Sequence, residues 1–107
     1  MVEQMEPAAL KTAMERGDAL VLLDVREPVE LDLVALPWPV VNIPLQQLPA
    51  REGELDPDAT IVVICHHGVR SMAGAHWLAE RDYATVYNLT GGVDRYALRV
   101  DASIGRY

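Results

Sequence analysis

Two short apolar runs constrain this chain more than any other feature: "ALVLLDV", Ala19 to Val25, and "TIVVI", Thr60 to Ile64. Each is a continuous stretch rich in Val, Leu or Ile, the pattern of a strand covered on both faces as in a parallel sheet. The segments around them carry helix signals. "MEPAALKTAMERGD" opens with Pro7, places Leu10 and Met14 four apart on one face and ends in Gly17, which predicts a first helix. "REPVELDLVALP" predicts a short helix bracketed by Pro28 and Pro37, and "VVNIPL" a brief strand at Val40 to Ile43 that Pro44 ends.

"LQQLPAREGELDPDAT" reads as a helical turn or two and then a polar turn around Asp56-Pro57-Asp58. "SMAGAHWLAERD" predicts a helix with Ser71 at its cap and Ala75, Leu78 and Ala79 on its inner face. Gly74 inside it costs about 1 kcal/mol relative to Ala, which predicts close packing on a neighbouring backbone. "TVYNL" is a further strand, "GGVDRYALRV" a turn into a last helix, and "DASIGRY" a tail. Alternating strands and helices imply an α/β domain with a mostly parallel sheet.

At 107 residues the chain is expected to form one domain, 1–107, large enough to bury a core without staples. No window approaches the eighteen or so apolar residues of a membrane helix. "MVEQMEPAAL" lacks the basic start and apolar centre of a signal peptide, so the expected location is the cytoplasm. The net charge of -7, from 16 acidic residues against 9 Lys plus Arg, argues against nucleic acid or an anionic membrane as partner. One cysteine excludes an internal disulfide.

That cysteine stands where the second apolar run stops, in "VVICHHGVRS", Val62 to Ser71. Ligands of open parallel sheets bind beyond the carboxyl ends of the strands, so Cys65, directly after Ile64, is expected to be exposed to substrate. The next helix begins near Arg70 or Ser71. Loop N–H groups and the positive end of its dipole then converge on an anion at the sulfur, an environment that favours the nucleophilic thiolate. Gly68 suits a tightly curled loop, and Arg70 supplies a fixed charge with planar donors for an oxyanion.

"CHHGVRS" resembles the active-site loop of rhodaneses, the thiosulfate or persulfide sulfurtransferases. "DVREPVE", Asp24 to Glu30, is similar to that family's Asp-Val-Arg-Glu segment, and "NIPL", Asn42 to Leu45, to the segment after its next short strand. "VYNLTGGVDRY" resembles the Asn-Leu-x-Gly-Gly stretch before the last helix, and "VDASIGRY" the ending of small bacterial members. The resemblance implies a three-layer sandwich, a mostly parallel central sheet flanked by helices.

It further implies that Cys65 is the catalytic nucleophile, taking the outer sulfur of a donor such as thiosulfate as a persulfide. A thiol, cyanide or an acceptor protein would then remove that sulfur. His66, His67, Gly68, Val69, Arg70 and Ser71 would bind the substrate, with the amides from His66 to Arg70 cradling the persulfide. No metal, nucleotide or organic cofactor is implied. The chain departs from the family in "LVALPWPVVNIPL", which lacks the usual Gly-His-Ile and has Trp38 between two prolines. Tyr96 stands where the family usually has Trp, a difference expected to affect packing, and His66 where a basic residue often follows the cysteine.

The same residues admit other readings. Cys65 alone is compatible with a small buried hydrophobe. A metal site joining His66 and His67 to Cys65 lacks a third or fourth ligand at suitable spacing. Asp24 and Arg26 are expected to form a fold-holding salt bridge or turn contact, His76 to be structural, and Trp77 to lie on the outer side of its helix. Phosphatases and arsenate reductases that resemble rhodaneses in fold have five residues between cysteine and arginine, whereas four separate Cys65 from Arg70. The shorter loop suits a single sulfur atom. A non-catalytic persulfide carrier is the remaining alternative.

Overall fold

The computed structural model describes residues 1–107 as a five-stranded parallel sheet between two layers of helices. The strands are β1 (Val2–Met5), β2 (Leu20–Asp24), β3 (Val41–Asn42), β4 (Thr60–Ile64) and β5 (Thr85–Leu89), in the spatial order β1-β5-β4-β2-β3. The helices are α1 (Pro7–Glu15), α2 (Pro28–Leu33), α3 (Leu48–Arg51), α4 (Val69–Ala79) and α5 (Gly92–Arg99), with three short 3-10 turns. The α/β architecture with a parallel sheet is therefore the one expected. No helix is long and apolar enough to cross a membrane.

The two apolar runs are central neighbours. β2 pairs with β4 from Leu20↔Thr60 to Asp24↔Ile64, so the ends of both strands open onto one edge. Side chains alternate across a strand, and β4 shows it: Ile61 and Val63 join Leu23, Val25, Leu48, Ala75 and Leu78 in one core layer. Val62 and Ile64 join Leu10, Leu22, Leu89, Val93 and Tyr96 in the other. With both faces covered, a continuous apolar run is what this position requires.

Several local expectations are corrected. Strand β1 is an addition to the expected elements: Val2 and Met5 are half-buried and Glu3 and Gln4 exposed, so this edge strand has no apolar run to announce it. β2 is shorter than Ala19 to Val25 and β3 shorter than Val40 to Ile43, because pairing stops at Asp24↔Asn42. A Cβ on Gly74 would meet the Leu45, Val63 and Val25 side chains at 3.4 to 3.6 Å, so the close neighbours are side chains rather than backbone. His76 is exposed. Trp77 is half-buried against the core, with the Arg81 guanidinium 3.7 Å from its ring.

The bracketed helix α2 forms where expected, with Pro28 in its first turn and a capping box in which the Glu27 N–H donates to the Glu30 carboxylate at 2.8 Å. Asp24 and Arg26 form the expected ion pair, 2.8 Å from Nη2 to Oδ2, with both side chains buried. Tyr96 is buried and packs edge to face on Trp38 at 5.8 Å, a packing role.

Candidate active site

The chemistry-bearing loop begins at the carboxyl end of β4. Cys65 continues the alternation of Ile61 and Val63, so its side chain turns into the layer beneath α4 and is 1% exposed. The expectation of an exposed sulfur is therefore corrected: strand periodicity carries one residue past the last ladder bond and points Sγ inward. The loop backbone is clamped from the opposite side by the start of α5. Val93 N–H donates to the Cys65 carbonyl at 3.0 Å and Asp94 N–H to the His66 carbonyl at 3.1 Å.

That clamp explains the glycines. Gly92 has φ +63°, and a Cβ there would run into the carbonyl oxygens of Cys65 and His66. Gly68 has φ +94° and would place a Cβ 3.0 Å from the Gly91 nitrogen. A residue with no side chain is needed at both places. Gly68 also caps α4, so the helix starts at Val69. Ser71, expected at the cap, is the third residue of the helix and is fully buried.

The thiol is held polar though it is buried. The Gly68 N–H donates to Sγ at 3.1 Å, and Ser71 Oγ lies 3.2 Å away. Ser71 Oγ in turn donates to Asn88 Oδ1 at 2.5 Å. Asn88 Nδ2 donates to Gln4 Oε1 at 3.0 Å, and Gln4 Nε2 to the Met72 thioether at 3.0 Å. Cys65, Ser71 and Asn88 are each at most 3% exposed. Of the loop amides expected to surround the sulfur, Gly68 is the one hydrogen-bonded to it.

Arg70 lies beside this nest but is engaged elsewhere. Its two terminal nitrogens reach the Glu30 carboxylate at 2.8 Å each, a bidentate charge-assisted pair. Glu30 also accepts from Glu27 N–H and, at 2.9 Å, from the Tyr107 hydroxyl. Chiefly through Arg70, its carboxyl is held down at about 2. Tyr107 OH accepts from Arg26 at 3.1 Å, which joins the buried Asp24–Arg26 pair to the loop. Val69 points outward, 77% exposed.

The two histidines differ. His66 is sandwiched between Tyr107, stacked at 3.8 Å and 7°, and His67, at 3.8 Å and 30°. Burial, with His67 as a second contribution, pushes its pKa down. Its Nε2 is buried without a partner. His67 is exposed and faces Asp94 at 3.8 Å. The tertiary structure thus supplies a third potential ligand that spacing did not reveal: one donor atom each of His66, His67 and Asp94 lies within 4.8 Å of the others. Asp94 is already paired with Arg106 at 2.8 Å, so a metal ion there would compete with that ion pair.

Four residues of this site escaped sequence reasoning: Glu30, Asn88, Gln4 and Tyr107. Asn88 and Glu30 sit inside stretches that resembled family motifs, which was the available signal. Tyr107 closes another such stretch, "VDASIGRY", and Gln4 had no signal.

Comparison with known proteins agrees with this fold. A family model described as a rhodanese-like domain matches residues 6–99. The chain is 42% identical over 94 residues to the Rhodanese-like/PpiC domain-containing protein 12, chloroplastic, of Arabidopsis thaliana, covering 84% of this chain but only 31% of that protein. It is 36% identical over 92 residues to the Putative sulfurtransferase YtwF of Bacillus subtilis, covering 86% of this chain and 87% of that one. The crystal structure of a rhodanese-related protein from Thermoplasma volcanium superposes with a TM-score of 0.82 at 28% identity, over 92% of this chain and 93% of that one.

Proposed function

The chain belongs to the rhodanese-like domain family, and from that premise we propose that it moves a sulfane sulfur from a donor to a thiophilic acceptor through a persulfide on Cys65. The observation that carries the proposal is the position of Sγ: directly after β4, within hydrogen-bond reach of the Gly68 amide in a loop clamped by α5. The Cys65 thiolate attacks the outer sulfur of thiosulfate. A new S–S bond forms, the old one breaks, and sulfite leaves with the bonding pair. Cyanide or a thiolate then attacks the outer sulfur of the persulfide and returns Cys65 as thiolate.

Main-chain donors suit this chemistry because they stabilise negative charge on sulfur without a proton of their own to lose. His66, His67, Gly68, Val69, Arg70 and Ser71 form the rim and floor that a donor meets. Arg70 would contribute as part of a neutralised Arg70–Glu30 pair rather than as a lone cation. The Cys65-to-Arg70 spacing favours sulfur over the wider ring that phosphate needs. The donor is a small molecule, and the acceptor is a thiol, cyanide or a protein.

Intact-mass measurement after incubation with thiosulfate tests the proposal. One added sulfur is expected, abolished by Cys65→Ser and removed by excess cyanide. No gain with thiosulfate but labelling by another persulfide donor would replace turnover by a carrier role, and hydrolysis of an aryl phosphate would replace it by phosphatase chemistry.

A further inference from the structure

We propose that Asn88 is a positioning residue that holds the Ser71 hydroxyl turned away from Cys65, so that ionisation of the sulfur requires this hydroxyl to switch from Asn88 to Sγ. The inference rests on Cys65 as the reacting sulfur and adds how its proton is held.

The direction of each hydrogen bond follows from donor and acceptor chemistry along the chain of contacts. A thioether sulfur only accepts, so Met72 Sδ, 3.0 Å from Gln4 Nε2, fixes the Gln4 amide with its NH2 toward Met72. The Gln4 Oε1 then faces inward and accepts from Asn88 Nδ2 at 3.0 Å and from the Thr90 hydroxyl at 2.9 Å. With its NH2 spent on Gln4, Asn88 presents its carbonyl oxygen to Ser71, 2.5 Å away.

An amide carbonyl cannot donate, so the single hydroxyl proton of Ser71 lies on that bond. Only lone pairs remain toward Sγ at 3.2 Å. The one proton available for the Cys65–Ser71 contact is therefore the thiol's own. This arrangement matches the thiol.

The thiolate reverses the requirement. When the S–H bond breaks, its electron pair stays on sulfur and its proton passes to water, leaving two sets of lone pairs opposed at the Ser71 contact. Rotation of the Ser71 hydroxyl about its C–O bond turns its proton to the sulfur, where a bond to a charged acceptor is stronger than one to a neutral carbonyl. The Asn88 carbonyl gives up its partner in exchange. Asn88 is 3% exposed, so that loss opposes ionisation, and Gly68 N–H donates in both states.

The consequence runs against intuition: deleting a polar group from this buried network should make the cysteine easier to ionise. Asn88→Leu keeps the branching at Cγ and the number of side-chain heavy atoms and removes the carbonyl that competes for the Ser71 proton. The midpoint of the ultraviolet thiolate titration, with Cys65→Ser as blank, is expected to fall by about one pH unit, a tenfold gain in thiolate at fixed pH. The drop should vanish in the Ser71→Ala/Asn88→Leu double variant. Gln4→Met, at an exposed position, frees the Asn88 amide to turn its NH2 to Ser71 and should produce a smaller shift in the same direction; it decides the matter if Asn88→Leu does not fold. A midpoint that stays fixed or rises in these variants overturns the proposal, because a purely structural Asn88 changes stability without moving the titration. Failure of sulfur loading in the parent protein would sink the transfer reading alone, since this readout is ionisation.

Discussion

The Arg70 guanidinium lies fork to fork on the Glu30 carboxylate, with both N···O distances 2.8 Å, and so ties the first turn of α4 to the first turn of α2. Glu30→Gln keeps the shape and removes the charge, and should lower stability near neutral pH by about 1 kcal/mol, since Arg70 remains partly solvated. The Glu30 carboxyl is lowered from 4.5 to about 2. A depressed acid contributes stability above its unfolded value and loses it as pH falls through the folded one. The difference between parent and variant in denaturant unfolding should therefore be full above about pH 5 and shrink toward pH 2.

The Asp24–Arg26 pair is of another kind, because both side chains are only 1% to 2% exposed. Asp24→Ala leaves a buried guanidinium without its counter-ion, and an unpaired buried charge costs about 3 to 5 kcal/mol. Urea unfolding should show a large drop in midpoint with an unchanged slope. An effect below about 1 kcal/mol would mean that water enters the site and solvates Arg26.

Gly92 and Gly17 both have positive φ, +63° and +83°, but a Cβ on Gly17 meets nothing within 4 Å. Gly17→Ala should therefore cost about 1 kcal/mol and leave Cys65 chemistry alone. Gly92→Ala adds a collision with the carbonyls that clamp the loop, and should lower both thermal stability and the extent of sulfur loading. Equal effects of the two variants on loading would refute the clamp.

Tyr107 holds His66 by a parallel stack at 3.8 Å. Tyr107→Ala removes an aromatic contact worth about 1 kcal/mol, so openings of the loop should become several-fold more frequent. Iodoacetamide labelling of Cys65, which is 1% exposed in the closed form, should accelerate by the same factor at neutral pH. Tyr107→Phe should keep the slow rate if stacking, rather than the hydroxyl bonds to Glu30 and Arg26, restrains the loop.

Strands β2, β4 and β5, helices α1, α2, α4 and α5, and the place of the cysteine loop were legible in the amino-acid order, because apolar periodicity, Pro at helix starts and Gly at turns act over a few residues. Even the inward turn of Cys65 was written in the spacing Ile61, Val63, Cys65, although its place at the end of the run suggested exposure. What local pattern does not carry is partnership across the sheet. β1 is an edge strand whose sole neighbour is β5, so exposed Glu3 and Gln4 interrupt any apolar run. Gln4 and Asn88 lie 84 residues apart, Arg70 and Glu30 40, and Tyr107 and Glu30 77. These pairs exist because parallel crossovers bring the strand ends to one edge, where each polar group taken from water has to find a donor or acceptor. Which groups meet there is settled by packing.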